Sequence, residues 1–154
     1  MHEVALFLHL LGVLLFVAGI VLAGVAFEAA RRRQRPAEIV LLLGLTRIGV
    51  LLVAGGALLL LGGGLWLVGI EGNVGFRTGW LDAAIALFVL AMALGGFGGQ
   101  RPKQARLLAT RLAEQDAPVG AELRALLDDR ISRAVNYTSA ALVLAILALM
   151  VFKP

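Results

Sequence analysis

Apolar residues fill four long stretches of the chain, and short polar segments separate them. The stretches run from Val4 to Phe27, from Ile48 to Ile70, from Leu81 to Gly99 and from Ala134 to Phe152. A helix rises about 1.5 Å per residue, so about 20 apolar residues cross a hydrocarbon layer roughly 30 Å thick. The pattern predicts helices rather than barrel strands, because lipid cannot satisfy an unpaired backbone and the alternation of a barrel strand is absent.

The predicted fold class is therefore all-α, a four-helix transmembrane bundle forming a single integral membrane domain over residues 1–154. We expect spans at about residues 4–30, 38–70, 80–99 and 120–152, with Pro36 tolerated in the first turn of the second helix. The fourth helix is expected to run unbroken from the cytoplasm into the membrane. No lysine or arginine precedes Val4, so we expect a retained first span rather than a cleaved signal peptide.

Composition and charge agree with a membrane protein and add an orientation. Hydrophobic residues make up 60% of the chain and the mean hydropathy is +0.94, whereas soluble domains are about 45–50% apolar. Basic residues cluster at 31–35 and at 101–133, while the second loop has only Arg77 and the carboxyl terminus only Lys153. Since cytoplasmic loops retain lysine and arginine, the protein is predicted to lie in an inner (plasma) membrane with both termini outside.

The same positive charge is interpreted as a topology signal that also contacts anionic lipid, and no nucleic-acid partner is expected because no reading motif is present. The polar stretch 100–133 is predicted to be an amphipathic, helical cytoplasmic loop between spans three and four. Leu107, Leu108 and Leu112 share one side of its first part, which suits a helix lying on the membrane surface. The chain has no cysteine, which excludes disulfides and thiol chemistry.

Small residues predict close helix packing. Ala91, Gly95 and Gly99 recur every fourth residue on the third span, an arrangement that lets two helix backbones approach closely in a membrane. Together with the other glycines of the apolar stretches, they favour a homo-oligomer or a subunit of a larger membrane complex.

Polar residues inside the spans are costly in lipid, so they are the candidates for function. His9 lies roughly 8 to 10 Å inside the first span and is a candidate ligand of haem iron or another metal, a proton relay, or a structural hydrogen-bond partner. His2 is about 10 Å away along the helix, too far to bind the same iron. A second axial ligand would have to come from another helix or subunit.

The remaining intramembrane candidates are Arg47, Asp82, Asn136 and Tyr137. Arg47 is expected at the inner interface; if it is buried instead, its partner should come from the inner-side residues Glu28, Asp128, Asp129, Asn136 and Tyr137. Asp82 lies near the outer end of span three, at the level of the interface residues Trp66 and Trp80. An outer polar pocket between the helices would combine Asp82 with His9, Glu71 and Arg77.

Three sequence features resemble a known family: LHLLGVLLFVAG at Leu8 to Gly19, the basic loop after span one, and LMVFKP at Leu149 to Pro154. They are similar to the bacterial predicted integral membrane proteins of domain-of-unknown-function family 2269. More distantly, the chain resembles copper-resistance D-like proteins and the small haem-binding protoporphyrinogen oxidase family, in which a first-helix histidine matters. That role carries over onto His9 alone. Phe16 stands where those helices often have tryptophan, and the dispersed methionines argue against copper transport.

We predict from this sequence a polytopic inner-membrane protein without a recognisable catalytic site, either an accessory subunit or a self-associating component. The first alternative is a haem-binding redox protein or protoporphyrinogen oxidase-like enzyme that uses His9. The second is a small oligomeric transporter with Arg47, Asp82 and His9 along its path. It ranks last, since four spans leave little room for a pathway and no interrupted helix pair is evident.

Overall fold

The computed structural model describes residues 1–71 and 79–152, and their regular structure is entirely helical. The helices are α1 (His2–Arg31), α2 (Pro36–Glu71), α3 (Gly79–Gly98), α4 (Gln100–Glu114), α5 (Ala121–Leu127) and α6 (Arg130–Phe152). Four segments are long and apolar enough to cross a membrane, namely α1, α2, α3 with α4, and α5 with α6. The all-helical, four-span fold is confirmed, and the outward placement of the termini stays a prediction. Arg77, Lys153 and the Glu71 side chain lie outside the described residues.

The chain divides into two compact units, Met1–Gly75 and Phe76–Pro154. The first consists of α1 packed on α2. In the second, α3 packs on α6 and α4 packs on α5. The single membrane domain over residues 1–154 stays a prediction.

The residues of α1 that face α2 recur at alternating intervals of four and three. These residues are Ala5, His9, Gly12, Phe16, Gly19, Ala23, Ala26 and Ala30, and the facing residues of α2 include Gly49, Val53, Gly56, Leu60 and Gly63. An average interval of 3.5 residues is that of left-handed coiled-coil packing, in which one stripe of each helix stays in contact along its length. We call this contact the glycine seam. Gly12 lies against Leu60 while Gly49 lies against Ala23, so the two helices are antiparallel.

Glycine is required in the seam because the backbones touch. A methyl group added to Gly56 would lie 2.5 Å from the backbone nitrogen of Phe16 and 2.8 Å from the carbonyl oxygen of Gly12. One added to Gly49 would lie 2.7 Å from the carbonyl oxygen of Gly19. These are backbone atoms, so they cannot move aside as a flexible side chain would. Even alanine at these positions requires the helices to separate.

The second unit uses a different contact between its long helices. The Ser132 hydroxyl donates to the carbonyl oxygen of Gly98 at 2.7 Å, and the Ser139 hydroxyl donates to that of Ala91 at 2.8 Å. Between these two bonds, the Asn136 side chain occupies the space beside Gly98, where a Cβ would collide with it. We call this contact the serine seam. It combines small residues on α3 with short polar side chains on α6, both of which stabilise helix pairs in lipid.

The polar stretch between spans three and four is helical, as predicted, and α4 begins as a direct continuation of α3. The backbone nitrogen of Gly99 donates to the Gly95 oxygen at 3.0 Å, and that of Lys103 donates to the Gly99 oxygen at 3.3 Å. Helical hydrogen bonding therefore crosses the junction between α3 and α4.

The prediction that the fourth helix is unbroken was wrong, because Asp128 and Asp129, between α5 and α6, are not helical. Asp129 Oδ1 accepts a hydrogen bond from the backbone nitrogen of Ile131 at 3.1 Å, so this aspartate caps a new helix. Its other oxygen, Oδ2, accepts from Arg101 Nε at 3.0 Å. Leu123, Leu127 and Ile131 are spaced as one side of a continuous helix, but that side ends at the break: the two leucines are fully buried, whereas Ile131 is 68% exposed.

Alanine substitution at neighbouring glycines of α2 should distinguish the effect of backbone contact on stability from the effect of helix propensity. Gly56→Ala should lower the free energy of unfolding by about 1–3 kcal/mol, because a methyl group in the seam forces the helices apart. Gly55, whose Cβ position is open, is the control: Gly55→Ala should leave stability unchanged or raise it by up to about 1 kcal/mol. Unfolding of the purified protein in mixed micelles, followed by circular dichroism, measures both. Equal effects of the two substitutions would contradict the seam.

Candidate functional site

His9, the histidine candidate of the first span, lies in the contact between α1 and α2. It occupies a seam position on α1, where its backbone lies against Gly63 and its ring lies beside Gly64. A Cβ on Gly64 would lie 3.1 Å from His9 Nδ1 and 3.3 Å from Cε1, so the ring packs against glycine backbone. The side chain is half-buried.

The hydrogen bond of His9 determines which ring nitrogen carries the proton. His9 Nδ1 lies 2.8 Å from the carbonyl oxygen of Leu60. A carbonyl oxygen only accepts hydrogen bonds, so Nδ1–H is the donor and Nε2 of the neutral ring keeps its lone pair. Histidines that bind metals in proteins are commonly held in this way, with one ring nitrogen donating to a backbone carbonyl and the other bound to the metal. The geometry thus suits both a structural role and a ligand role through Nε2.

A metal site built from several side chains is not supported in the described part of the chain. Residues 1–71 and 79–152 contain no group of three or more histidine, cysteine or acidic side chains close enough to hold one ion. A haem differs because the porphyrin supplies four nitrogen ligands and the protein needs to supply only the axial ones. His9 Nε2 could supply one axial ligand of this kind.

Arg47 is exposed on α2 and forms no side-chain hydrogen bond or ion pair with the described residues. Because Gly49 faces Ala23, Arg47 lies at about the level of Val25, close to the end of the apolar run of α1. The nearby Glu28 pairs with Arg31 at 2.8 Å instead. This placement favours the interfacial interpretation, in which the long side chain extends toward the head groups.

The remaining candidates fall into different surroundings. Asp82 is exposed on α3, and Tyr137 is 66% exposed on α6. Asn136 belongs to the serine seam beside Gly98. The outer polar pocket predicted from His9, Asp82, Glu71 and Arg77 includes residues outside the described part, and it stays a prediction.

The predicted packing stripe of the third span, Ala91, Gly95 and Gly99, stays a prediction as a set. Ala91 and Gly95 face Ser139 of α6, but the third contact is made by Gly98. A Cβ on Gly99 would instead lie nearest to carbonyl oxygens of its own helix, at Gly95 and Gly96. Gly98 follows Gly95 by three residues and Gly95 follows Ala91 by four. Both intervals occur on one side of a helix because a helix has 3.6 residues per turn.

A cleft of about 650 Å³ opens between α4 and α5. Its lining combines leucines with two arginines and two acidic residues: Arg101, Leu107, Leu108, Arg111, Glu122, Leu126 and Asp129 among others. Arg101 is already paired with Asp129 at 3.0 Å. With balanced charges and no convergent catalytic groups, this cleft does not define a reaction centre.

These features define the class of protein as a polytopic integral membrane protein whose described residues form helices. The model of the family described as predicted integral membrane protein (DUF2269) matches residues 3–154. The chain belongs to this family. No curated protein and no solved structure matches it. The more distant similarity to copper-resistance D-like and haem-binding proteins stays a prediction.

Removing the His9 side chain should destabilise the first unit. His9→Ala should lower the free energy of unfolding by about 1–3 kcal/mol, through loss of the bond to Leu60 and of the packing against Gly63 and Gly64. His2, which is exposed at the start of α1, supplies the matched control, and His2→Ala should have a smaller effect. Unfolding in mixed micelles measures the difference. If the two variants are equally stable, His9 contributes nothing to the helix contact.

Proposed function

We propose that this protein is a non-catalytic membrane component that acts by helix–helix association, either with a second copy or as an accessory subunit. The observation that supports this proposal is that six of the eight glycines of α2 form two sets with seven-residue spacing. Gly49, Gly56 and Gly63 lie in the glycine seam, whereas Gly55, Gly62 and Gly69 have nothing within 4 Å of their Cβ positions. We call the second set the open stripe.

The open stripe has the same seven-residue spacing as the seam set and lies about 100° away from it around the helix. Its neighbours Leu51, Leu58 and Leu65 are 65%, 74% and 53% exposed. Exposed leucines are an ordinary lipid-facing surface, but a row of exposed glycines is a groove bounded by such side chains. Another helix backbone fills a groove of this kind closely, as α1 fills the seam, and close packing is the main force that joins helices in lipid.

A larger side chain in the open stripe of α2 should weaken association without unfolding the monomer. Gly62→Leu should reduce the association constant about ten-fold or more, since overpacking a close helix contact costs about 1–3 kcal/mol. The control is Gly24→Leu, which also places leucine at an open glycine, but on α1. Single-molecule photobleaching of the labelled full chain in liposomes, over a range of protein-to-lipid ratios, counts the subunits. A wild-type protein that is monomeric throughout, or a Gly62→Leu variant that associates normally, contradicts self-association.

A second candidate function, haem binding through His9, is favoured by the bond from Nδ1 to the Leu60 oxygen. This bond orients the ring and leaves the Nε2 lone pair for an iron ion. One chain offers one such histidine, so a bis-histidine haem would require His9 from a second copy. Haem bound in this way would supply one-electron redox chemistry, and the chain's own part would be to hold the ring and exclude water.

The visible spectrum of protein expressed with added haem tests this second candidate. A Soret band that sharpens on reduction with dithionite, disappears in His9→Ala and persists in His2→Ala would support axial ligation by His9. The far-UV circular dichroism of His9→Ala must match the wild type, so that loss of the band reports loss of the ligand rather than of the fold. A featureless wild-type spectrum would rule out haem binding.

A further inference from the structure

Helices α4 and α5 pack on each other and form a hairpin with a small core of its own. Its fully buried side chains are Ala105, Ala109, Leu123 and Leu127. The helix is interrupted at both connections of this α4–α5 hairpin to the long apolar helices. Gly99 lies between α3 and α4, and residues 128–129 lie between α5 and α6. The hairpin is therefore one body with an interruption on each side of its base.

The connection between α3 and α4 lacks one helical hydrogen bond. In a continuous helix, the carbonyl oxygen of Gly98 accepts from the backbone nitrogen of residue 102. Residue 102 is proline, which has no N–H, and proline bends a helix through this loss. The bond of the next residue, from the Lys103 nitrogen to the Gly99 oxygen, is formed at 3.3 Å. The two helices are therefore joined, but more weakly than two parts of one helix.

Ser132 of α6 supplies the donor that proline lacks. Its hydroxyl donates to the Gly98 oxygen at 2.7 Å, and the residue is 2% exposed. In membrane proteins, serine and threonine side chains of this kind satisfy backbone groups that proline leaves free. The ion pair of Arg101 with Asp129, at 3.0 Å, joins the same two connections, because Arg101 begins α4 and Asp129 precedes α6. Two side-chain contacts thus hold the base of the hairpin.

The residues before Pro102 favour bending for a second reason. Residues 95–99 read GGFGG, so four of the five are glycine. Two of these glycines pack on α6, but nothing lies within 4 Å of a Cβ on Gly96, and a Cβ on Gly99 would meet carbonyl oxygens of its own segment. Contact with α6 does not require glycine at these two positions, where it weakens a helix relative to alanine. Their effect is a segment that bends easily.

We propose that residues 96–102 form a hinge and that the Ser132 hydroxyl holds this hinge in one position. The α4–α5 hairpin moves as one body relative to α3 and α6 when the bond from Ser132 to the Gly98 oxygen is broken. The hinge thereby determines where the polar hairpin lies relative to the third and fourth spans. Because it depends only on contacts within the second unit, this device is independent of the association proposed for α2.

Double electron–electron resonance on the full chain in nanodiscs tests the hinge. The chain has no cysteine, so spin labels can be attached to introduced cysteines alone. Glu114→Cys, at the end of α4, is combined with Val89→Cys on α3 or with Leu144→Cys on α6, all three at exposed positions. Ser132→Ala should increase the population outside the wild-type distance maximum about five-fold or more, as expected for loss of one buried hydrogen bond.

The matched control is Ser139→Ala, because Ser139 donates to the Ala91 oxygen, which lies inside α3 and also has the helical donor that Gly98 lacks. This variant should leave the distances unchanged. Pro102→Ala restores an N–H at residue 102, so adding it to Ser132→Ala should return the wild-type distribution.

The proposal is overturned if Ser132→Ala and Ser139→Ala give the same distribution, or if Pro102→Ala does not reverse the effect of Ser132→Ala. If Ser132→Ala alone does not fold, the double variant decides: recovery of the wild-type distribution supports the hinge, and failure to recover it contradicts the hinge.

Discussion

Close approach of two helix backbones is the constraint on which the first half of this protein depends. In lipid, apolar side chains gain nothing by leaving the solvent, so helices associate through packing and interhelical hydrogen bonds. The glycine seam meets this requirement by letting α1 and α2 touch along a stripe of alternating four- and three-residue steps. The second unit solves the same problem with hydroxyl groups that reach the carbonyl oxygens of Gly98 and Ala91.

The glycine seam also determines what His9 can do. Because glycines on α2 leave room for an imidazole, the ring fits beside Gly64 and its Nδ1–H reaches the Leu60 oxygen. A polar group in an apolar stretch is thereby accommodated without a charged partner, and the orientation of Nε2 is determined at the same time. The packing of His9 and the ligand role proposed for it therefore depend on the same contacts, and a test of one must control for the other.

The four spans could be predicted from the sequence because apolar length alone decides whether a helix crosses a membrane. The start of α2 at Pro36 was likewise predictable, since proline suits a first turn. The identity of the seam glycines was not, because Gly55 and Gly56 look alike until the facing helix is known.

Tertiary contacts account for the other differences between the sequence-based predictions and the structure. The pattern of Leu123, Leu127 and Ile131 suggested one continuous helix, but the contact of Asp129 with Arg101, from a distant part of the chain, favours a break and a new cap. Spacing alone would likewise pair Asp129 with Arg133, four residues later, whereas the Asp129 oxygens accept from Arg101 and from the Ile131 backbone. Spacing identifies which residues can meet along one helix, whereas the choice between competing partners is made by the fold.

Solid-state NMR of the unmodified protein in liposomes, labelled at histidine and glycine, tests the glycine seam most directly. The chain has only two histidines, so the His9 signals can be assigned by comparison with His2→Ala. The seam predicts a through-space correlation between the Cα atoms of His9 and Gly63, together with a nitrogen spectrum in which Nδ1 carries the proton. A helical His9 that shows no correlation with any glycine of α2 would contradict the close approach of the two helices.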